Sequence, residues 1–242
     1  MTDSQPRLLV VIATYNEIDN LPRLMLRLQE AVPNAQLLII DDGSPDGTGN
    51  WCESSRDKYP QMSVIHRDEK LGLGSAAMEG FRWALTRNFD LIATMDADLS
   101  HEPESLAQMV SLMQEPDQAE VGVCIGSRYV MGGGTEGWPW YRQWASRCVN
   151  GFARMMLRLP TYDCSGAFRV YRRTAIESID LSQLKSNDYA YLEEILYRLH
   201  QNHVMMKEVP ITFRNRDAGK SKTNAWMGLS VFWQILKMGI RG

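Results

Sequence analysis

Short, unbroken apolar runs alternate with helically spaced apolar residues through the first half of the chain, and each run ends on polar residues. The runs are Leu8–Ala13, Leu37–Ile40, Ser63–His66, Leu91–Met95 and Val121–Ile125. Between them Leu21, Leu24, Met25 and Leu28 recur at i, i+3, i+4 and i+7, with Asp19 or Asn20 as cap and Pro22 in the first turn. Met78, Phe81, Ala84 and Leu85 mark a second helix, and Leu106, Met109, Val110 and Met113 a third. Strands apolar on both sides, joined by helices, predict an α/β fold: a mostly parallel central sheet with helices on both faces. Ligands of such sheets bind beyond the carboxyl ends of the strands. Polar motifs fall at three of those ends: Thr14-Tyr15-Asn16-Glu17, Asp41-Asp42 and Asp96-Ala97-Asp98.

The second half is less regular. Phe168–Tyr171 and Val204–Phe213 read as strands, with Leu192, Ile195, Leu196 and Leu199 marking a helix between them. The 242 residues show no repeat, linker or domain boundary, so a single domain over 1–242 is expected. The net charge of −3 argues against nucleic acid as a partner. That average conceals an asymmetry. Residues 128–158 carry five arginines against Glu136, and residues 214–242 carry six Lys/Arg against Asp217. The same tracts hold Trp138, Trp140, Trp144, Trp226 and Trp233, five of the seven tryptophans. Basic and aromatic residues together suit a lipid headgroup surface or an anionic ligand. Amphipathic helices near 138–158 and 225–240 are therefore candidates for a membrane interface, with a core or dimer contact as the alternative. No stretch of eighteen apolar residues exists, so no membrane-spanning helix is expected. Cys52, Cys124, Cys148 and Cys164 form no CxxC pair and have no His at ligand spacing, which points to a reducing compartment.

Asp96-Ala97-Asp98 carries the sharpest chemistry. Two carboxylates two residues apart at a buried strand's end can face one hard divalent cation; the bland alternative is a turn with solvated aspartates. Asp41-Asp42 offers either a turn, which the following Ser-Pro-Asp-Gly-Thr favours, or a hydrogen-bond acceptor for a nucleobase or ribose. Gly72–Gly80 lacks GxGxxG spacing and suits close backbone approach near a ligand. Gly219-Lys220-Ser221 is no phosphate-binding P-loop, because Arg214 stands where its first glycine belongs. Arg128, Arg216, Lys220 and Lys222 could together clamp phosphates.

Seven motifs then stand in order along nearly the whole chain. They are ATYNE (Ala13–Glu17), DDGSPDGT (Asp41–Thr48), GLGSAAMEGF (Gly72–Phe81), MDADLSHEPE (Met95–Glu104), GSRY (Gly126–Tyr129), DCSGAFRVY (Asp163–Tyr171) and FRNRDAGKSK (Phe213–Lys222). In this series the chain resembles the dolichyl-phosphate mannose synthase group of inverting glycosyltransferase family two, which has the GT-A fold.

The resemblance implies GDP-mannose as donor and a polyprenyl (dolichyl) phosphate as acceptor. It implies that Ala13, Tyr15 and Glu17 line the nucleotide pocket and that Ile40 and Asp42 meet the guanosine. Asp96 and Asp98 would bind Mg²⁺ or Mn²⁺, with Ala97 contributing backbone. Arg128, Arg216 and Lys222 would hold donor or acceptor phosphates, and Asp98, Arg128 and Arg216 would be the catalytic set. Arg142 and Ser146 match an arginine and serine four apart that meet the lipid phosphate in the family. Ala13 replaces the usual proline, and Ser100 stands where many members have a glutamine near the metal. Peripheral contact with the cytoplasmic face of a membrane follows, and membrane-anchoring subunits are admitted as partners. A polyprenyl-phosphate glucosyltransferase using UDP-glucose and a non-catalytic nucleotide-sugar-binding subunit are the alternative readings. A nucleotidyltransferase would need a glycine- and lysine-rich loop where ATYNE stands.

Overall fold

The computed structural model describes residues 6–184, 186, 190–215 and 225–241, with side chains of the last helix described from 230 to 240. Its first half follows the predicted alternation, with β1 (Leu8–Thr14), α1 (Leu21–Ala31), β2 (Gln36–Asp41), β3 (Met62–His66), α3 (Leu73–Leu85), β4 (Leu91–Asp96), α4 (Pro103–Gln114) and β5 (Val121–Ser127). It adds a short helix not expected from the sequence, α2 (Thr48–Ser54), after the Asp41–Thr48 turn. The second half adds β6 (Gly134–Thr135), α5 (Trp140–Leu157), β7 (Arg169–Arg172), α6 (Arg173–Glu177), α7 (Tyr191–Gln201), β8 (Met205–Pro210), β9 (Thr212–Phe213) and α8 (Ala225–Arg241).

The main sheet runs in the order β3-β2-β1-β4-β7-β5-β8, parallel throughout except for β7, which is antiparallel to both neighbours. β6 and β9 form a small parallel pair of their own. The expected strand Val204–Phe213 is thus two strands. The chain leaves β5's side after Pro210, crosses at Ile211, and pairs with β6 as β9.

Alternate residues of each buried strand feed opposite faces, because strand side chains alternate with period two. Leu8, Val10 and Ile12 join the core formed with α1 and α4, whereas Leu9 and Val11 join the core under α3, α5, α6 and α7. Helices therefore cover both faces, as the sequence predicts. Gly80 lets α3 lie directly on β1, since a Cβ there would collide with Val11. That packing is its role here, and no ligand is needed to explain it.

The order reverses at β1. Its neighbour β2 follows α1 on one face, and β4 follows α3 on the other. Such a switch point opens a crevice at the carboxyl ends of the two central strands. Register sets Ala13 beside Ile40 on one side and Asp96 on the other.

α5 and α8 pack on each other. Phe152 stacks on Phe232 with centroids 4.2 Å apart, and a Cβ at Gly239 would lie 2.9 Å from the Met156 carbonyl oxygen. Asn150, Ala153 and Leu157 face inward from α5. On its outer side Trp140 is 79% exposed and Trp144 66%, and Trp233 of α8 is 53% exposed. Among the described residues no helix is long and apolar enough to cross a membrane.

Candidate active site

Two loops at the β1 and β2 ends are latched together by backbone N–H groups. Asn16 N donates to Ser44 Oγ at 3.0 Å, Glu17 N to Thr48 Oγ1 at 3.0 Å, and Ile18 N to an Asp46 oxygen at 3.1 Å. Asn16 sits at φ 58°, a left-handed position that asparagine tolerates. Asp41 accepts from Thr14 Oγ1 at 3.0 Å and from the Ser44 backbone at 3.1 Å, so the turn-forming reading of this residue holds. Asp42 is different. Its carboxylate pairs with Arg67, both side chains over nine-tenths buried, and also accepts the Gly72 N–H at 3.2 Å. Arg67 in turn donates to Ser75 Oγ at 2.8 Å. Asp42 thereby ties the β3–α3 loop to the pocket, through a cation that nothing in the sequence singles out.

Of the remaining expected nucleotide residues, Ala13 is partly exposed at the crevice and Tyr15 carries the Lys70 ammonium 4.6 Å from its ring centroid. Glu17 is buried and accepts from Asn20 Nδ2 at 2.8 Å. The Ile40 side chain is fully buried in the core, level with Ala13, so only its backbone is placed to meet a ligand.

At the end of β4, Asp96 is 30% exposed while Ala97 and Asp98 are buried. Asp98 accepts the Ser100 N–H at 3.1 Å, closing a tight turn whose apex, Leu99, has φ 62°. Leucine seldom adopts that conformation, which costs about 1–2 kcal/mol, and such strain concentrates at functional sites. His101 is fixed beneath the turn. Its ring stacks on Phe168 at 4.7 Å, meets Phe213 edge-on at 5.3 Å, and its Nδ1 accepts the Asp96 N–H at 3.2 Å. Burial, opposed by nearby Asp98, pushes its pKa down to about 4, so the ring is neutral at pH 7.

Arg128, expected as a phosphate-clamping cation, follows β5 with its guanidinium already engaged. Nε and Nη2 donate to the two oxygens of Asp163, each at 2.7 Å, and Arg128 N donates to the same carboxylate at 3.0 Å. Burial opposes the Arg128 charge, but Asp163 and, further off, Asp96 outweigh it and hold the group more firmly protonated than usual. The Asp163 carboxyl, despite burial, is held below the ordinary range by Arg128. Asp163 is itself set in place by two residues that the sequence did not mark. Glu208 accepts its N–H at 2.9 Å, and Asn150 of α5 accepts from Cys164 N at 2.7 Å and Ser165 N at 3.1 Å.

Arg142 and Ser146 lie one turn apart on α5. Ser146 Oγ is hydrogen-bonded to the Tyr129 hydroxyl at 2.7 Å, and the Arg142 guanidinium lies 3.9 Å from the Trp138 ring centroid. The structure thus brings Arg128, Tyr129, Trp138, Arg142 and Ser146 into one group. Arg216 and Lys222, with Lys220, lie outside the described residues. The loop that leads to them is anchored at its start, where Arg214 bridges Glu102 and Glu136 at 3.1 Å each and its N–H donates to the Ser100 carbonyl at 3.2 Å.

Residues 9–180 match the profile of glycosyl transferase family 2. The chain belongs to that family, and it is a glycosyltransferase. Its curated relatives narrow the class. One is the polyprenol monophosphomannose synthase of Mycolicibacterium smegmatis, 39% identical over 237 residues, which span 98% of this chain and 88% of the relative. Another is the undecaprenyl-phosphate mannosyltransferase of Micrococcus luteus, 40% identical over 242 aligned residues covering 96% and 98%. Among solved structures, a mannosyltransferase of Pyrobaculum calidifontis in complex with GDP-Man and Mn²⁺ superposes with a TM-score of 0.63 at 16% identity, covering 99% of this chain and 66% of that one. Glucosyl-3-phosphoglycerate synthase of Mycobacterium tuberculosis, in complex with Mn²⁺, UDP and its product, gives 0.67 at 14%, covering 97% and 78%. These likenesses establish the fold as GT-A, as the sequence resemblance implies.

Proposed function

We propose that the chain transfers mannose from GDP-mannose to a membrane-borne polyprenyl phosphate with inversion, releasing GDP and polyprenyl-phosphate β-mannose. One observation carries the reading. The Asp96–Asp98 turn at the switch-point crevice is joined, through His101 and Phe213, to the Arg128, Tyr129, Arg142 and Ser146 group at the start of α5. α5 is also the helix that exposes Trp140 and Trp144. On this reading a nucleotide-sugar site and a lipid-facing phosphate site are neighbours. The names of the near-full-length relatives support mannosyl transfer to a polyprenyl phosphate.

The residues at Asp96–Asp98 fit a divalent cation, Mg²⁺ or Mn²⁺. Asp96 and Asp98 offer hard carboxylate oxygens, and the neighbouring Ser100 Oγ is buried with no hydrogen-bond partner among the described residues. Among the described residues no group of three or more His, Cys, Asp or Glu could hold an ion unaided. Diphosphate oxygens and water would complete its shell. Such an ion supplies counter-charge to the leaving diphosphate.

The rest of the chemistry falls to the chain. An acceptor phosphate monoester is already anionic at neutral pH, so its oxygen bonds to C1 of mannose with no proton to remove. The bond from C1 to the GDP oxygen breaks on the opposite face. The barrier is repulsion between two phosphate groups, and fixed cations lower it. Arg128 supplies one such charge, pinned by Asp163; Arg142 and Ser146 bind the acceptor phosphate; Arg216 and Lys222 complete the set. The exposed aromatics of α5 and α8 rest on the cytoplasmic face of the membrane.

The test is a donor panel. Purified chain is incubated with radiolabelled GDP-mannose or UDP-glucose and a short polyprenyl phosphate. Label passing from GDP-mannose alone, in the β configuration, is the expected result. Transfer only from UDP-glucose, an α product, or tight GDP binding without turnover would each overturn the reading.

A further inference from the structure

Trp138 stands just before α5, where the parts of the site meet. The Arg142 guanidinium lies 3.9 Å from its ring centroid and that of Arg128 5.7 Å. Phe213 meets the same ring edge-on at 5.3 Å, and Phe213 in turn contacts His101, which accepts the Asp96 N–H. Gln143 Nε2 donates to the Trp138 carbonyl at 3.0 Å, fastening the residue to the first turn of α5. One line of contacts therefore runs from Asp96 to Arg142.

Two features separate this ring from ordinary packing. Its Nε1–H is buried and has no hydrogen-bond acceptor among the described residues, a defect that lowers stability and that phenylalanine would not carry. Two guanidinium groups also share the one ring, and indole attracts cations more strongly than the other aromatic side chains. Cations gathered this closely repel each other, and the electron-rich ring face offsets that repulsion.

We propose that Trp138 is a positioning residue for the acceptor phosphate. It holds Arg142 at a fixed reach from Arg128, so that an incoming phosphate monoester meets two cations already in place. The inference rests on the assignment of Arg142 and Ser146 to the acceptor phosphate. The ring face does the positioning, although the Nε1–H finds no acceptor among the described residues.

Steady-state rates with GDP-mannose and farnesyl phosphate test it, for Trp138→Phe, Trp138→Leu, Arg142→Ala and the Trp138→Leu/Arg142→Ala double variant, alongside melting temperature. Trp138→Leu is expected to raise KM for farnesyl phosphate about tenfold, with kcat and the donor KM within about twofold. Trp138→Phe should raise the acceptor KM less and melt at or above the wild-type temperature. Trp138→Leu should add nothing in the Arg142→Ala background. An unchanged acceptor KM in both Trp138 variants overturns the inference. So does full additivity in the double variant, or an equal loss toward both substrates with depressed melting. If Arg142→Ala itself keeps the wild-type acceptor KM, the acceptor-site assignment fails, and this inference fails with it. A rise in that variant with no effect at Trp138 sinks the inference alone.

Discussion

Arg128 meets Asp163 fork to fork, Nε and Nη2 each 2.7 Å from a separate carboxylate oxygen, with both side chains buried. A surface arginine would have to be ordered by its ligand. This one is fixed beforehand, so its charge is already in position for the phosphate it is proposed to meet. Asp163→Asn leaves a buried guanidinium half-paired. It should destabilise the fold by about 3 kcal/mol and lower kcat about tenfold or more, read by urea unfolding and steady-state kinetics. Arg128→Lys should lose activity comparably, because an ammonium cannot reproduce the fork.

The buried Arg67–Asp42 pair fastens the β3–α3 loop, on the side proposed to hold the nucleotide. Arg67→Ala frees the β3–α3 loop and strands the Asp42 carboxylate. A several-fold rise in KM for GDP-mannose is expected while the acceptor KM stays put, together with a loss of about 3 kcal/mol in stability. A change confined to the acceptor would contradict the place given to Asp42.

Trp140 and Trp144 project from α5 with none of the described residues covering most of their surface. Changing both to serine removes apolar area that a bilayer interface would take up. Flotation with anionic vesicles should fall at least about tenfold, while turnover of water-soluble farnesyl phosphate is retained. Undiminished flotation would mean that the two residues serve another contact.

Glu193 lies buried at the start of α7, and burial raises its carboxyl pKa to about 7, against the pull of Arg169. The folded protein therefore holds this proton where the unfolded chain, titrating near 4.5, has released it. Its contribution to stability is complete below pH 4.5 and is lost as pH rises through 7. Glu193→Gln should match the wild type at pH 4.5 and exceed it by about 1–3 kcal/mol at pH 8, measured by melting across that range.

The first five strands, three of the four helices between them and the placing of Asp96 and Asp98 are legible in the sequence, because periodicity and strand ends are local properties; α2 is too short to show a period. Pairing is not local. Phe168–Tyr171 reads as a strand, yet no pattern within it announces an antiparallel insertion between β4 and β5. The same limit hid the partners of the charged residues. Arg128 is visible as a cation after a strand, but Asp163, thirty-five positions later, has no mark of burial in its neighbours. Arg67, Asn150 and Glu208 act by holding other residues in place, and such roles become visible only once the chain has folded. In the sequence Trp138 is one of several tryptophans in a basic tract. Its position against two guanidinium groups is a property of the tertiary structure.

The reversed strand β7 also constrains how the molecule is made. Among the described residues, the main-sheet neighbours of β5 are β7 and β8, both encoded downstream of it. A nascent chain leaving the ribosome can zip β1 through β4, but it must carry β5 as an orphan strand until later residues emerge. Truncations ending within α5 should thus yield sticky, aggregating fragments rather than a smaller soluble enzyme.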